Sequence, residues 1–163
     1  MQMETAIQWT FRFLIYSMTG MALETIFAVD GIERVSAVKI DRRVPKKYLE
    51  GFVSLYMIPL HGLGMLFLYE WGRGISKEWF WLVRFCWWAV VISIMEVLWG
   101  VFLKKVVGFY PWDYYAKSKF KVLKNGYTMW TLVPLWGLTG LVFEHWSDLL
   151  IHLSPFVSQY FLG

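Results

Sequence analysis

Four apolar stretches, each about twenty residues long, alternate with polar segments along this chain. They cover about 9–29, 52–70, 79–103 and 127–146, close to the ~20 residues that cross ~30 Å of hydrocarbon as a helix. The first stretch is interrupted by Arg12 and Glu24, and the third carries Glu96 with apolar residues on both sides. Glycines recur within the stretches at Gly20, Gly62, Gly64, Gly100, Gly137 and Gly140. In lipid such positions let helix backbones approach closely. Pro59 and Pro134 fall about one-third into their stretches, so a kink is expected at each. The segment 147–163 has Pro155 at its middle and is expected to form a separate interfacial helix.

The stretches are related in pairs. Gly51, Pro59, Leu60, Gly62, Leu63, Leu66 and Trp71 recur 75 positions later as Gly126, Pro134, Leu135, Gly137, Leu138, Leu141 and Trp146. Arg12, Phe13 and Glu24 recur 72 positions later as Arg84, Phe85 and Glu96. The pattern predicts an all-α polytopic membrane bundle of one domain, 1–163. Repeat one covers about 9–71 and repeat two about 79–146, with the interfacial tail at 147–163. Two spans per copy make both copies enter in the same direction. The repeat is therefore parallel, about an axis along the membrane normal, unlike the inverted repeats of many transporters.

Composition fits a membrane solvent: 58% of residues are hydrophobic, 20% aromatic and only 17% charged, against roughly 25% charged in soluble domains. Eleven tryptophans and nine tyrosines suit a protein with two wet–dry boundaries. The net charge of +4 is concentrated. Of sixteen Lys and Arg residues, six lie in 34–47 and six in 104–124. Basic clusters beside span ends place those loops in the cytoplasm and both termini outside, and also favour anionic headgroups. Arg73, Lys77 and Arg84 around the middle loop weigh the other way. No nucleic-acid motif accompanies the basic residues, so no nucleic-acid partner is expected. The start, MQMETAIQWT, lacks a basic segment and a small-residue cleavage site, so no cleaved signal peptide is expected. The single cysteine, Cys86, allows no internal disulfide.

The candidate chemistry is acidic. Glu24 and Glu96 each lie twelve residues past an arginine, roughly 18 Å along a helix, which puts both carboxyls at similar depth. Ionisable residues at depth face a bundle interior and mark a functional site or a buried pair. A binding site and a duplicated structural tie to neighbouring Trp, Tyr, Ser or Thr both fit. Both glutamates are expected to point inward and approach each other, with His61 near at least one. His61 lies near mid-depth in the second span, and its repeat counterpart is Trp136. A Glu–His cluster could move protons or hold a metal, but the ligand count favours one histidine serving one glutamate. In the loop 104–125, the run Phe109-Tyr110-Pro111-Trp112-Asp113-Tyr114-Tyr115 reads as an interfacial lid or a belt anchor. Within it, Asp113 is a candidate cap for a short helix starting at Tyr114. No nucleophile elbow, P-loop, dinucleotide turn or metal-spaced His/Cys set is present. The chain therefore holds no nucleotide-binding segment with which to hydrolyse ATP.

The run Phe109–Tyr114, followed by Gly126 and the Pro134/Trp136/Gly137 span, resembles the transmembrane protein 229 group. It is also similar to the bacterial family described as "Putative ABC-transporter type IV", or CmpB-like. Ile15-Tyr16-Ser17 through Leu23-Glu24, and Glu96 ahead of Gly100, fit as well, so the resemblance covers about 12–146. The chain departs from the bacterial pattern after Trp-Asp-Tyr, where Gly126-Tyr127-Thr128-Met129 replaces an arginine-isoleucine-cysteine element. The resemblance implies a small four-span helical membrane protein.

Three functions compete. The favoured one is a transporter-like or membrane-complex subunit, with Glu24, Glu96 and His61 lining a buried polar site, Trp112, Asp113 and Tyr114 forming a lid, and a partner supplying energy. The second is a scaffold that binds partner helices through its glycine-lined faces. The third is a membrane-embedded enzyme on lipid or isoprenoid substrates, using Glu24, Glu96, His61 and Asp113 as acids and bases. An enzyme, a cofactor and a metal are not expected. Membrane lipids and other membrane subunits or copies of the chain are the expected partners. The expected location is a membrane, the inner one for a bacterial source.

Overall fold

The computed structural model describes residues 2–163, and among them every regular element is helical. Helix α1 spans Gln2–Ser36, α2 Met57–Leu63, α3 Glu70–Ser76, α4 Trp81–Val106 and α5 Val133–Leu162. A π segment, Gly64–Tyr69, joins α2 to α3, so 57–76 is one continuous rod. Short 3-10 turns lie at Lys46–Tyr48 and Asp113–Lys117.

Side-chain contacts fix the directions. Arg12, Ser17 and Gly20 of α1 meet Glu70, Ile58 and His61 in turn, so α1 and the 57–76 rod are antiparallel. Gln8, Arg12 and Tyr16 meet Ser158, Ser154 and Ser147, so α5 is also antiparallel to α1. Arg84 and Glu96 of α4 reach Glu144 and Trp136 of α5. The 57–76 rod and α5 therefore run one way, while α1 and α4 run the other. Glycines set the closest approaches. A Cβ on Gly62 would stand 2.3 Å from the Phe13 ring, and one on Gly137 2.6 Å from the Phe85 ring. Both distances are shorter than any packed carbon contact.

Two expectations about breaks are corrected. Pro59 and Pro134 do not kink their helices; they start them. Pro59 is the third residue of α2 and Pro134 the second of α5, where a missing N–H removes no helical bond. The departure from α geometry lies at the π segment instead. The C-terminal segment is also not a separate helix, because α5 passes through Pro155 without ending. Ser147, Leu150, Ser154 and Ser158 form one buried stripe along it. Small side chains let this stripe lie directly on α1, and its hydroxyls take hydrogen bonds from Arg12 and Gln8 and share one with Tyr16.

Two polar knots close one end of the bundle. Arg12 grips Glu70 through Nε and Nη2 at 2.7 and 3.3 Å, and Tyr16 donates to the same carboxylate at 3.2 Å. Arg84 donates to Glu144 at 2.8 Å and Trp88 Nε1 does so at 2.7 Å. At the opposite end the loop 107–132 folds over the helices. Gly108 and Gly126 turn the chain at φ +89° and +69°, a conformation glycine adopts without strain. Ser118 and Thr131 donate to the carbonyls of Ser36 and Val35 at 2.6 and 2.8 Å, satisfying the open C-terminus of α1.

α1 and α4 are long and apolar enough to cross a membrane. They differ from the buried core helix of a soluble protein, because large apolar side chains stand bare on their outer faces. Met18 and Ile26 on α1, and Val90, Ile94 and Leu98 on α4, are more than half exposed.

Candidate functional site

A cavity of about 620 Å³ opens between α1, the 57–76 rod, α4 and α5, and is roofed by the loop residues Pro111, Trp112, Tyr114 and Tyr115. Glu24, His61 and Glu96 all line it. Its remaining wall is mainly aliphatic and aromatic, and no Lys or Arg contributes to it.

Each glutamate is met by the ring at the corresponding level of its neighbouring helix. Nε2 of His61 lies 3.3 Å from Oε1 of Glu24. The contact is close but not aligned as a hydrogen bond, so this buried nitrogen has no hydrogen-bond partner. Trp136 Nε1 donates to Oε2 of Glu96 at 3.2 Å. The imidazole ring is packed over Gly20, where a Cβ would fall 2.2 Å from Cγ of His61. Glycine at that position lets His61 reach the level of Glu24. Glu96 is 8% exposed, whereas the Glu24 side chain is 35% exposed at the cavity's mouth.

The roof is held by aromatic packing and backbone acceptors. Trp112 Nε1 donates to the carbonyl of Tyr127 at 2.9 Å, and the Tyr110 hydroxyl to that of Asn125 at 2.5 Å. Tyr114 and Tyr115 meet edge to face at 4.9 Å. Burial raises both phenols above their ordinary pKa. Glu24 is the next contributor for Tyr114, and Glu96 for Tyr115. Both therefore stay protonated at neutral pH, as phenols on the roof of the cavity. The roof's third expected member differs. Asp113 is exposed and is itself the first residue of the 3-10 turn, which has no side-chain cap. A tight turn beginning at Asp113 leaves its carboxyl in solvent, away from the cavity.

Among the described residues no three His, Cys, Asp or Glu side chains gather as a metal site. Glu24 and His61 supply two donors. Sequence reasoning missed Glu70 and Glu144 as partners of Arg12 and Arg84. The signal was available, since both lie about sixty residues past their arginine at matching places in the two halves.

The chain belongs to the family described as "Putative ABC-transporter type IV", whose family model matches residues 11–161. Family and apolar helices together mark a membrane protein. No curated protein and no solved structure matches the chain.

Proposed function

We propose that, as a member of this transporter family, the chain is the membrane-embedded component of a transport system and holds its cargo in the cavity at Glu24, Glu96 and His61. The observation that carries this reading is the cavity between the helices with two glutamates on its wall. Ionisable groups inside an apolar bundle are costly, and they are found where a pathway or a ligand uses them. Pockets that combine apolar walls with a few polar groups are the usual form of small-molecule sites.

The bundle is read as four spans in two like-directed halves. The outer faces support the two additional spans: Leu63, Phe67 and Trp71 on the 57–76 rod, and Leu138 and Val142 on α5, are exposed. Recurring contacts support the duplication. Phe13 against Gly62 is repeated as Phe85 against Gly137. Glu24 with His61 is repeated as Glu96 with Trp136. Arg12 and Tyr16 on Glu70 are repeated as Arg84 and Trp88 on Glu144. The likeness to the transmembrane protein 229 group belongs to the same reading and rests on Trp112-Asp113-Tyr114. On this reading a separate nucleotide-binding partner supplies the energy for transport. Other membrane subunits or further copies complete the assembly.

The test is genetic. Glu24→Gln and Glu96→Gln, placed in the chromosomal gene, should leave the amount of inserted protein unchanged and reproduce the growth phenotypes of the deletion strain. Variants that behave as wild type, in a screen where the deletion does not, would remove the cavity from the function.

A further inference from the structure

We propose that the cavity binds an organic cation with an apolar body, its charge seated between Glu24 and Glu96. The inference rests on the cavity reading above and adds the chemical class of its ligand.

The first ground is the distribution of counter-charge. Four glutamates sit within the helical bundle away from its loops: Glu24, Glu70, Glu96 and Glu144. Glu70 is gripped by Arg12 and Glu144 by Arg84. Neither Glu24 nor Glu96 has a Lys or Arg within ion-pair distance among the described residues, and Glu24 lies beside His61. The fold thus neutralises the two acids that hold the bundle's end together. The two that face the cavity are left without a fixed cation. A carboxyl in apolar surroundings demands compensation when it ionises, and both of these line the cavity.

The second ground is the wall. Trp112, Tyr114, Tyr115 and Trp136 contribute indole and phenol rings beside the carboxylates. Aromatic faces attract ammonium-type cations, tryptophan most strongly, and desolvation strengthens the attraction. An anion would meet two acids and no Lys or Arg. An inorganic ion would want three or more converging donors, and Glu24 with His61 gives two.

The third ground is size and entry. About 620 Å³ falls within the roughly 300–1,000 Å³ of drug-sized sites. Exposed Leu23, Ile26, Phe52 and Phe109 are also part of the lining. These apolar residues rim the opening, so a ligand entering past them needs an apolar body.

Tetraphenylphosphonium tests the class, with tetraphenylborate as its charge-inverted isostere. Both are titrated onto the full-length purified protein in detergent, following tryptophan fluorescence and equilibrium dialysis. The expected result is saturable binding of the phosphonium and none of the borate. Glu24→Gln and Glu96→Gln should each weaken it by about tenfold, the scale of one partly desolvated charge pair, with unchanged elution on gel filtration. Equal binding of both ions, no saturable phosphonium binding, or wild-type affinity in the double variant would overturn the proposal. A cavity cysteine separates this failure from that of the reading beneath it. Thr139→Cys in a Cys86→Ala background should react with N-phenylmaleimide, a small reagent with an apolar body. A reactive thiol without cation binding sinks the cation class and leaves the cavity standing, whereas an unreactive thiol without cation binding sinks both.

Discussion

Trp136 donates its indole hydrogen to Glu96 across the α4–α5 interface at 3.2 Å. The donor satisfies one oxygen of a carboxyl that is 8% exposed, and Trp136 itself lines the cavity. Replacing Trp136 with Phe keeps a ring and removes the donor. A buried acceptor that loses its partner costs about 1–3 kcal/mol. Trp136→Phe should therefore lower the thermal midpoint of the detergent-solubilised protein, and Glu96→Leu in that background should restore much of it. A Trp136→Phe protein as stable as wild type would show that Glu96 does not depend on this bond.

The Arg84–Glu144 pair yields a second prediction. The Glu144 side chain is 3% exposed, and it also takes a hydrogen bond from Trp88. Arg84→Met removes the cation and leaves the acid buried, a loss that typically costs about 3–5 kcal/mol. The double substitution Arg84→Met/Glu144→Leu removes both charges and should be much milder. Thermal midpoints of the two variants check this. The pair is a structural tie if the double variant keeps wild-type phosphonium binding.

Much of this fold was legible because lipid-facing chemistry is coarse. Runs of about twenty apolar residues predicted an all-helical protein, and every regular element among the described residues is a helix, two of them long and apolar enough to cross a membrane. The misread features depend on where a helix begins, which hydropathy does not report. Pro59 looked internal because the apolar run starts at 52, yet 51–56 lies outside the helix and Pro59 falls in its first turn. Pro155 looked like a break because proline removes a donor. The serine stripe on α1 holds α5 helical across it, and such tertiary packing has no local signature. Glu24, Glu96 and His61 were legible as expensive residues in an apolar context. The lid's Trp112 and Tyr114 were legible as a cluster, but Asp113's outward direction follows from a turn geometry that its sequence does not encode uniquely.

The glycine contacts give a third prediction, which bears on the duplication. A Cβ at Gly62 or Gly137 would overlap Phe13 or Phe85, and overpacking a tight contact costs about 1–3 kcal/mol. Gly62→Ala and Gly137→Ala should destabilise by similar amounts. Phe13→Leu should relieve the first alone and Phe85→Leu the second alone. Cross-relief, or a large difference between the two glycines, would separate the halves physically.

The last prediction concerns orientation. At one end of the bundle lie the loops 31–50 and 107–132, with twelve of the sixteen basic residues in or beside them. At the other end stand Arg12, Arg73, Lys77 and Arg84, the group that weighed against a cytoplasmic placement of the basic loops. Three of these four are ion-paired to acids on a neighbouring helix: Arg12 with Glu70, Arg73 with Asp148 and Arg84 with Glu144. At the loop end Arg34, Arg42, Arg43 and Lys46 are ion-paired, whereas Lys39, Lys105, Lys119 and Lys124 pair with no acid among the described residues. The unpaired basic residues are therefore concentrated at the loop end, and that end is expected to lie in the cytoplasm. Single cysteines at Lys39 and Lys119, in a Cys86→Ala background, should resist a membrane-impermeant maleimide in intact cells and react once the membrane is opened. Glu78→Cys, in the short turn at the opposite end, should react in intact cells. Labelling of Lys39→Cys and Lys119→Cys with protection of Glu78→Cys would invert the topology, and labelling of all three from outside would mean that the helices between them do not cross the membrane.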